Sequence, residues 1–254
     1  MLQSGFDALS ESYMSKPTER DLLIAALCLA IGIATAGYFI GQTLYNSRTG
    51  VNTAEVKGLA ERRVMADRAI WRIQYTVTGD DAADMAELYA RSEREQAEIV
   101  AALTASGLTK DEIRPGIVNY HRIEYRDEAQ RLVDARRVLS ATIEVETARV
   151  RLVGPARARL NTLVSRGIDL ANNPPSYYFT GLNDIKPEMV REATMNARIA
   201  AGEFARNAGV GVGGIRDARQ GNFVIRDAGS DYGNTARIEK NVRVVTTITF
   251  YLEG

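Results

Sequence analysis

Reactive side chains are scarce in this sequence of 254 residues, which contains one cysteine and one histidine. Cys28 lies inside an apolar run and has no second cysteine with which to form an internal disulfide. His121 has no neighbouring cysteine or histidine at the spacing of a metal site. The sequence therefore offers no disulfide framework, no zinc-type ligand set and no nucleophile that a histidine base could be seen to serve.

An excess of charge of one sign is also missing. Lysine and arginine number 32, aspartate and glutamate number 32, and the formal net charge is zero. Proteins that bind nucleic acid normally carry a basic excess on one face, so the composition disfavours that class of partner. Hydrophobic residues at 45% and charged residues at 25% are ordinary for a globular protein. The length allows one large domain or two small ones sharing a core.

One segment lacks charged residues altogether, and it covers residues 22–47. Its most apolar part, residues 22–40, would span about 28 Å as an α-helix, close to the hydrocarbon thickness of a bilayer. The sequence thus predicts an N-terminal tail over residues 1–21, a transmembrane anchor over 22–47 and a body over 54–254. Ala34-Thr35-Ala36 resembles a signal-peptidase site, but the apolar run continues beyond it and the tail is long and mixed in charge. An uncleaved anchor is therefore the favoured interpretation.

Small residues recur along this segment at helical spacing. Gly37 and Gly41 form a G-x-x-x-G pair of the kind that lets membrane helices approach closely. Glycine is common in membrane helices, so a packing interface and ordinary helix composition both remain open. Basic residues before and after the segment nearly balance and leave the orientation undecided. The order of short tail, anchor and large domain favours export of the body.

The body alternates strands and helices in an α+β pattern. Helices are predicted over about residues 85–107, 155–167 and 187–207, with Asp80-Asp81 capping the first and Pro155 opening the second. Strands are predicted over about residues 56–63, 69–77, 113–125, 138–149, 176–182, 215–226 and 242–252. A helix, a glycine stop and a strand pair occur twice, after Ser106-Gly107-Leu108 and after Ala208-Gly209-Val210. This echo indicates two αββ units that form antiparallel sheets with helices on one face.

Two patterns imitate sites of known chemistry. Gly209-x-Gly211-x-x-Gly214 fits the dinucleotide fingerprint as a string, but that motif needs a strand before it and a helix after it. Here the order is reversed, so a helix stop and turn is predicted. Glu144 and Glu146 share a strand face, and the solvated side of an amphipathic strand explains them without a carboxylate pair. No catalytic, cofactor-binding or metal-ligating residue is assigned, and the chain is predicted not to be an enzyme.

Two stretches are candidates for contact with a partner. Tyr177, Tyr178 and Phe179 follow an Asn-Asn-Pro-Pro sequence and form either an exposed aromatic surface or, as favoured here, a rigid turn that feeds a buried strand. Residues 226–240, which include Tyr232, are predicted to be a long hairpin loop. Loops of this length are often contact elements or simply mobile.

The body resembles the SIMPL-domain family (domain of unknown function 541). Val56-Lys57-Gly58 followed by Ala66-Asp67-Arg68-Ala69 is similar to the V-x-G opening and P-D-x-A turn of that family, with Ala66 where proline is usual. Gly107 followed by Glu112-Ile113 is similar to its glycine and D-I sequence. The alanine-rich run from Glu192 through Gly209 to Ile215 resembles its A-x-x-x-A helix and glycine exit. The similarity extends over about residues 54–252.

The resemblance implies a bacterial periplasmic or extracytoplasmic α+β protein. Relatives include immunogenic proteins and proteins labelled as oxidative-stress defence, some of which form ring-like or channel-like homo-oligomers, and the family has no established catalytic residues. With the anchor, this predicts a single-pass protein of the bacterial inner membrane with its body in the periplasm, acting as a homo-oligomeric scaffold of the cell envelope. The alternatives are a monomeric tethered module that recruits an envelope partner and, less favoured, a stress-defence enzyme.

Overall fold

A computed structural model describes residues 19–49, 52–230 and 232–254 of the chain. The predicted N-terminal tail up to residue 18, part of the linker and Asp231 lie outside the described residues. The first element is helix α1 (Glu19–Thr49), and the apolar span Leu22–Leu44 within it has no buried residue. Its length and composition suit a membrane crossing, although a signal sequence has the same properties.

The body contains three longer helices and ten strands among the described residues. The helices are α2 (Met85–Ala105), α3 (Val153–Val164) and α4 (Leu182–Ala208), and single 3₁₀ turns cover Lys110–Glu112 and Val150–Leu152. The strands are β1 (Thr53–Met65), β2 (Arg68–Asp80), β3 (Ile113–Pro115), β4 (Asn119–Arg126), β5 (Leu132–Thr147), β6 (Asp169–Asn172), β7 (Ser176–Tyr178), β8 (Gly211–Gln220), β9 (Val224–Asp227) and β10 (Glu239–Glu253).

These strands form two antiparallel sheets that meet at a bend in the chain. The first sheet has the order β1-β10-β8, with β9 also paired to β10. The second has the order β3-β5-β2-β6, with β4 paired to β5 and β7 paired to β2. Only Ala66 and Asp67 separate β1 from β2, so one extended segment passes from the first sheet into the second. The predicted α+β class, with an N-terminal apolar helix and antiparallel sheets, is confirmed.

Helix α4 packs on one face of the first sheet at very short range. Its buried stripe repeats every four residues and consists of Met189, Ala193, Ala197, Ala201 and Ala205. Opposite this stripe lies Gly58 of β1, where an added Cβ would stand 1.8 Å from the carbonyl oxygen of Ala193. The glycine of the Val-x-Gly sequence is therefore required by the close approach of helix and strand.

Helices α2 and α3 cover one face of the second sheet with a core of larger side chains. Trp71, Ile73 and Tyr75 of β2 are fully buried against residues that include Leu103 of α2 and Leu160 of α3. The indole Nε1 of Trp71 donates to the carbonyl of Asn173 at 2.9 Å, so this large ring keeps its hydrogen bond in the core. The opposite face of the sheet is polar, which gives the alternation that the strand pattern predicted.

The two αββ units share the way in which their helices end. Gly107 and Gly209 both have a positive φ, of 99° and 72°. The next amide donates to the carbonyl five residues back, from Leu108 to Leu103 at 3.4 Å and from Val210 to Ala205 at 3.0 Å. This is the Schellman arrangement, in which glycine accepts the left-handed conformation that other residues resist.

Both units also interrupt their next strand at a glycine, so the strands predicted over 113–125 and 215–226 are each two strands. The amide of Gly116 donates to Thr142 at 2.8 Å, and the amide of Gly221 donates to Val245 at 2.8 Å. A Cβ at either glycine would lie 2.6 Å from that same carbonyl oxygen. After a gap of residues 116–118 or 221–223, pairing with the long strand resumes.

Several helix starts differ from the predicted ones. Helix α2 is capped by Asp84, whose carboxylate accepts the amide of Ala86 at 2.9 Å, and not by the earlier aspartate pair. Helices α3 and α4 begin before the prolines that were expected to open them, so Pro155 is in the first turn and Pro187 lies inside α4. The early start of α4 shortens the strand predicted over 176–182. Strand β6 was not predicted, because four residues are too few for a clear alternation.

Candidate interaction surfaces

The hairpin of β4 and β5 projects beyond the rest of the second sheet, and residues 119–137 are called the arm below. Every residue of β4 is exposed. The base of the arm is fastened by Arg122, whose guanidinium binds both carboxylate oxygens of Asp81 at 2.7 and 2.8 Å. Arg137 adds a bond from its Nη1 to the carbonyl of Ala83 at 2.9 Å. Beyond these contacts about five residues of each strand lead to the turn, a length of about 17 Å.

The turn at the tip of the arm is held by Asp127. Its carboxylate accepts the backbone amide and the Nε of Arg131, both at 2.8 Å. The backbone bond from Arg131 is the chief reason that the pKa of Asp127 lies below its usual value, against the opposing effect of burial. Gln130 in this turn has a φ of 62°, a conformation that a tightly closed turn imposes.

Large apolar side chains stand exposed on both faces of the arm. They are Tyr120, Ile123, Tyr125, Leu132 and Val133. The guanidinium of Arg136 lies 5.8 Å from the ring centre of Tyr125, at the distance of a cation–π contact. A two-stranded hairpin has little of its own in which to bury such groups, so a cluster of them indicates a contact surface. The sequence did carry a signal, because apolar residues occupy both alternating positions of β4.

The second candidate surface is concave and lies on the open face of the first sheet, which is the face turned away from α4. It is a pocket of about 460 Å³. Its lining includes Glu61 of β1, Arg226 of β9, Asn241 and Arg243 of β10, and the loop residues Asn222 and Ser230. The loop that follows β9 forms one wall, so the position of that loop decides the shape of the pocket.

A buried ion pair holds this loop in place. The Nζ of Lys240 lies 2.5 Å from Oδ1 of Asp227, and the two side chains are 0% and 3% exposed. Lys240 also donates to the carbonyl of Asn234 at 2.8 Å, and the amide of Ala236 donates to Asp227 at 2.9 Å. Burial opposes ionisation of Asp227, but the bonds from Lys240 and from the loop amides outweigh it and lower the pKa of Asp227.

The same loop is also bonded to other parts of the body. The carbonyl of Thr235 accepts the amide of Tyr177 in β7 at 2.7 Å, and the carbonyl of Ile238 accepts the amide of Ala66 at 2.7 Å. Ile238 packs against the core of the second sheet. Residues 234–238 are therefore bonded to both sheets, and they differ in this respect from a free hairpin tip.

The predicted aromatic surface is divided by the fold. Tyr177 is 7% exposed and belongs to the core of the second sheet, while Phe179 is half-buried against the α4 core. The favoured interpretation of a turn that feeds a buried strand describes these two residues, because strand alternation turns Tyr177 inward. Tyr178 and Tyr232 present their rings to solvent, and Tyr232 is 89% exposed.

Gly37 and Gly41 lie on an exposed side of α1, where an added Cβ would meet no atom within 4 Å. Close packing at these glycines therefore needs a partner other than the described residues of this chain. The glycine string near residue 209 has a helix before it and β8 after it, which is the predicted order. His121 is exposed on β4.

The two glutamates of β5 are paired with arginines on the open face of the second sheet. Glu144 binds Arg72 at 2.9 Å, and Glu146 binds Arg114 at 3.1 Å and Arg68 at 3.3 Å. Each carboxylate therefore faces cations and not another carboxylate. This arrangement is the solvated strand face that the alternation predicted.

Asp67, in the turn between β1 and β2, connects this turn to the segment before α4. Its carboxylate accepts the amides of Thr180 and Gly181 at 2.8 and 2.9 Å, just before α4, and the hydroxyl of Thr180 at 3.0 Å. Its own amide donates to the carbonyl of Tyr178 at 2.9 Å. Asp67 thus ties the bend between the sheets to the start of α4, a structural role that needs no chemistry.

The family model named SIMPL, described as a protein of unknown function (DUF541), matches residues 54–250. The match contains both αββ units, the arm and the pocket, and it begins after α1. No curated protein matches the chain.

Proposed function

The chain belongs to the SIMPL family, and on this premise we propose that it is a membrane-tethered scaffold whose body assembles with other copies of the chain. In this proposal α1 remains as an uncleaved anchor in a bacterial inner membrane, and the body stands in the periplasm. The protein acts by contact and not by catalysis. A SIMPL body behind an N-terminal apolar helix is compatible with a membrane-anchored extracytoplasmic module.

The arm is the observation that carries the assembly. It extends away from the body, is made rigid at its base by Arg122 and at its tip by Asp127, and exposes aromatic and aliphatic groups. Burying such groups against a partner is favourable by about 25 cal/mol for each Å² removed from water. A rigid projecting element loses little conformational freedom when it binds, so more of that energy is kept.

A second copy of the chain is the partner that suits the charge of the arm. Arginine and acidic residues alternate along it, as in the chain of contacts from Arg126 to Glu124 at 2.5 Å and from Glu124 to Arg122. Such a mixed surface has no strong preference for a partner of one sign, and the whole chain has a net charge of zero. A homo-oligomer joins copies of one surface or two surfaces of one chain, and both modes need complementary charges.

The assembly is tested by measuring the mass of the full chain in detergent by light scattering. We expect an oligomer, and we expect Ile123→Ser with Tyr125→Ser to shift it towards monomer. Ile199→Ser on α4 is the matched control, because it removes an equally apolar exposed residue from another surface and should leave the mass unchanged. A monomeric full chain, or an oligomer that survives the arm substitutions unaltered, contradicts the proposal.

The contribution of the anchor is separated from that of the body by two further samples. A protein that starts at Asn52 should remain oligomeric, because α1 is exposed along the whole of its apolar span and the described core lies within the body. Gly37→Leu in the full chain should change the mass less than the arm substitutions do, since even polar contacts between membrane helices contribute only about 1–2 kcal/mol.

Topology is tested independently. A reporter that is active only after export, fused after Gly254, should give signal, and residues 1–21 should be found on the mature protein. A mature N-terminus at Gly37, or a reporter that is active only in the cytoplasm, contradicts the anchored periplasmic arrangement.

The second candidate function is a monomeric tethered module that binds a partner or ligand of the envelope. The pocket on the first sheet favours it, because a concave site with convergent polar groups is the usual form of a small-molecule site. A monomeric mass in detergent together with ligand binding at the pocket supports this candidate over the scaffold.

A further inference from the structure

Two arginines line the pocket on the first sheet from neighbouring strands. Arg226 of β9 stands opposite Asn241, and Arg243 of β10 stands opposite Val224, in the antiparallel register of the two strands. Asn241 and Arg243 are two residues apart and therefore project from the same face. Arg226 and Arg243 therefore lie on the same face of the sheet and line the same cavity.

Arg226 and Arg243 form no ion pair among the residues described, although Glu61 lies opposite Arg243 in the register of β1 and β10, where its Oε1 accepts the bond from Nδ2 of Asn241. Neither arginine has a hydrogen-bond partner among residues 52–230 and 232–254, whereas Arg68, Arg72 and Arg114 on the other open sheet face are all paired with glutamates. Asp227 also lines the cavity, but it is bound to Lys240. The pocket therefore presents two free forked donors of the kind that bind carboxylate or phosphate with two parallel hydrogen bonds.

Hydrogen-bond acceptors lie beside the arginines. Glu61 faces the cavity and accepts a bond from Nδ2 of Asn241. The Oδ1 atom of Asn241 is buried and has no partner among the residues described. Because this atom is closed to solvent, the exposed carboxylate of Glu61 is the acceptor that a hydroxyl of a ligand can reach.

If α1 is the membrane anchor of the proposed function, the pocket is separated from the bilayer. Glu61 follows Thr53 by eight residues along β1, which corresponds to about 27 Å of extended strand. Thr53 is the first residue of the strand that follows α1, so the pocket lies towards the end of the first sheet that adjoins the second sheet. A soluble ligand reaches this site more readily than a membrane-bound headgroup does.

From this geometry we infer that the pocket binds a hydroxylated anion of monosaccharide size, with its carboxylate or phosphate between Arg226 and Arg243 and its hydroxyls towards Glu61. The volume of about 460 Å³ lies within the range of pockets for small molecules. The inference does not rest on the proposed assembly, because the pocket and the arm belong to different sheets.

Binding is tested by titrating the full chain in detergent and following the heat released. Glucuronate and glucose 6-phosphate supply a carboxylate and a phosphate on the same kind of ring, while glucose lacks the anion and inorganic phosphate lacks the ring. We expect one or both of the sugar anions to bind with a millimolar or tighter dissociation constant. Whichever binds better identifies the anionic group, and glucose and inorganic phosphate should bind more weakly.

Three variants decide whether the binding belongs to this pocket. Arg226→Gln and Arg243→Gln should each weaken binding by about tenfold or more, because each removes a charge-assisted pair of bonds. Arg216→Gln on β8 is the matched control, since this exposed arginine is outside the pocket lining, and it should bind as the wild type does. Thermal melts establish that the exposed substitutions leave the fold intact.

The inference is overturned by any of three results. These are the absence of heat from both sugar anions, equal binding of glucose, and unchanged binding by the Arg226 and Arg243 variants when both are folded.

Discussion

The two αββ units of the body follow the same plan and present different surfaces to solvent. In the unit of α2, the strand resumes after Gly116 as β4, which has eight residues and carries the chain outwards as the arm. In the unit of α4, the strand resumes after Gly221 as β9, which has four residues and leads into a loop pinned over the pocket. The two units thus differ in the length of the strand that follows the interruption: the longer strand forms a projecting surface, and the shorter one borders a concave surface.

The two units also differ in how closely helix and sheet approach. The second sheet meets its helices through large side chains such as Trp71 and Leu103, while the first sheet meets α4 through Gly58 and Ala193. A large side chain can repack when one atom is added or removed. A glycine against a helix backbone has no such freedom, so the α4 unit is expected to be the less tolerant of the two.

The largest expected effect is that of Gly58→Ala. The new Cβ would lie 1.8 Å from the oxygen of Ala193 and 2.5 Å from the nitrogen of Ala197, so α4 would have to move away from the sheet. We expect the free energy of unfolding to fall by about 4 kcal/mol, a large part of the stability of a typical domain. Urea unfolding followed by circular dichroism measures the change.

Gly202→Ala is the matched control in the same helix. No atom lies within 4 Å of a Cβ at this position, and alanine in a helix is favoured over glycine by about 0.5–1 kcal/mol. This variant should be slightly more stable than the wild type. If Gly58→Ala were equally harmless, the close approach of helix and sheet would not be what distinguishes the α4 unit.

A smaller loss is expected at the ion pair that closes the pocket. Asp227→Asn leaves the ammonium of Lys240 buried without its counter-charge, and breaking one side of a buried pair costs about 3 kcal/mol. The double variant Asp227→Asn with Lys240→Met removes the stranded charge and should recover part of the loss. Thermal unfolding of the two proteins gives the comparison, and equal stability of both would show that the buried charge is not the cause.

The contacts of this ion pair limit which changes the loop after β9 can accept without loss of stability. A deletion within residues 227–237 is unsuitable as a test of contact between copies, because it would remove Asp227 and the carbonyl of Asn234 from Lys240. Such a deletion would destabilise the body whatever the loop contacts. Point substitution of Tyr232, which is exposed, tests the loop surface without this damage.

In the α2 unit, Glu112 is the partly buried acidic residue that connects neighbouring elements, as Asp227 does in the α4 unit. Its carboxylate accepts bonds from Arg149, from the hydroxyl of Thr147 at 2.6 Å and from the amide of Thr109 at 2.8 Å. Burial opposes its ionisation, but these bonds prevail and lower the pKa of Glu112 from 4.5 to about 2. The 3₁₀ turn before β3 is thereby tied to the end of β5.

We expect Glu112→Gln to reduce the free energy of unfolding by about 2 kcal/mol at pH 7. Because the folded-state pKa is lowered, the stabilisation is complete above pH 4.5 and is lost as the pH falls from 4.5 towards 2. Urea unfolding at several pH values should therefore show the variant and the wild type converging in acid. Asp111→Asn, at an exposed neighbour in the same turn, should have little effect at any pH. A gap that does not close in acid would contradict the role of the charge.

Much of the fold follows from local sequence signals. The ends of α2 and α4 were predicted because glycine in the left-handed conformation acts within one turn of its own helix. The long strands β2, β5 and β10 were found because alternation is visible in any window of eight or more residues. Short strands and the true helix starts were not, since Asp84 and Leu182 give no stronger local signal than their neighbours.

The candidate surfaces depended on contacts that sequence spacing does not reveal. Whether β4 is covered or projects depends on where α2 begins relative to β5, which is a property of the packed fold. The pairing of Lys240 with Asp227 joins residues on either side of a loop, and the bond between Tyr177 and Thr235 joins two distant segments. An aromatic stretch such as residues 177–179 therefore cannot be placed inside or outside before the strand order is known.

The smallest expected effect concerns a buried carboxylate in α2. The buried stripe of α4 has no such group, since it consists of methionine and alanine. The stripe of α2 contains Glu95, which binds Arg91 at 2.8 Å through Oε1 while its buried Oε2 has no partner among the described residues. Burial raises the pKa of Glu95, against the opposing bond from Arg91, and the nearby carboxylates of Glu98 and Asp169 act in the same direction as burial. The ionised form is therefore a cost in the folded state.

A raised folded-state pKa means that Glu95 favours folding most in acid and loses that contribution as the pH rises through the folded pKa. Glu95→Gln removes the buried charge and keeps an acceptor for Arg91, so it should raise the free energy of unfolding by about 1 kcal/mol at pH 7. The advantage should shrink as the pH falls and the wild-type carboxyl becomes protonated. Glu93→Gln, at an exposed site of the same helix and outside the groups that act on Glu95, is the matched control and should change stability little. Urea unfolding at pH 7 and pH 4 measures the difference. A Glu95→Gln protein that is less stable than the wild type at both pH values would contradict the prediction, because it would show that the buried carboxylate of α2 has adequate hydrogen-bond partners.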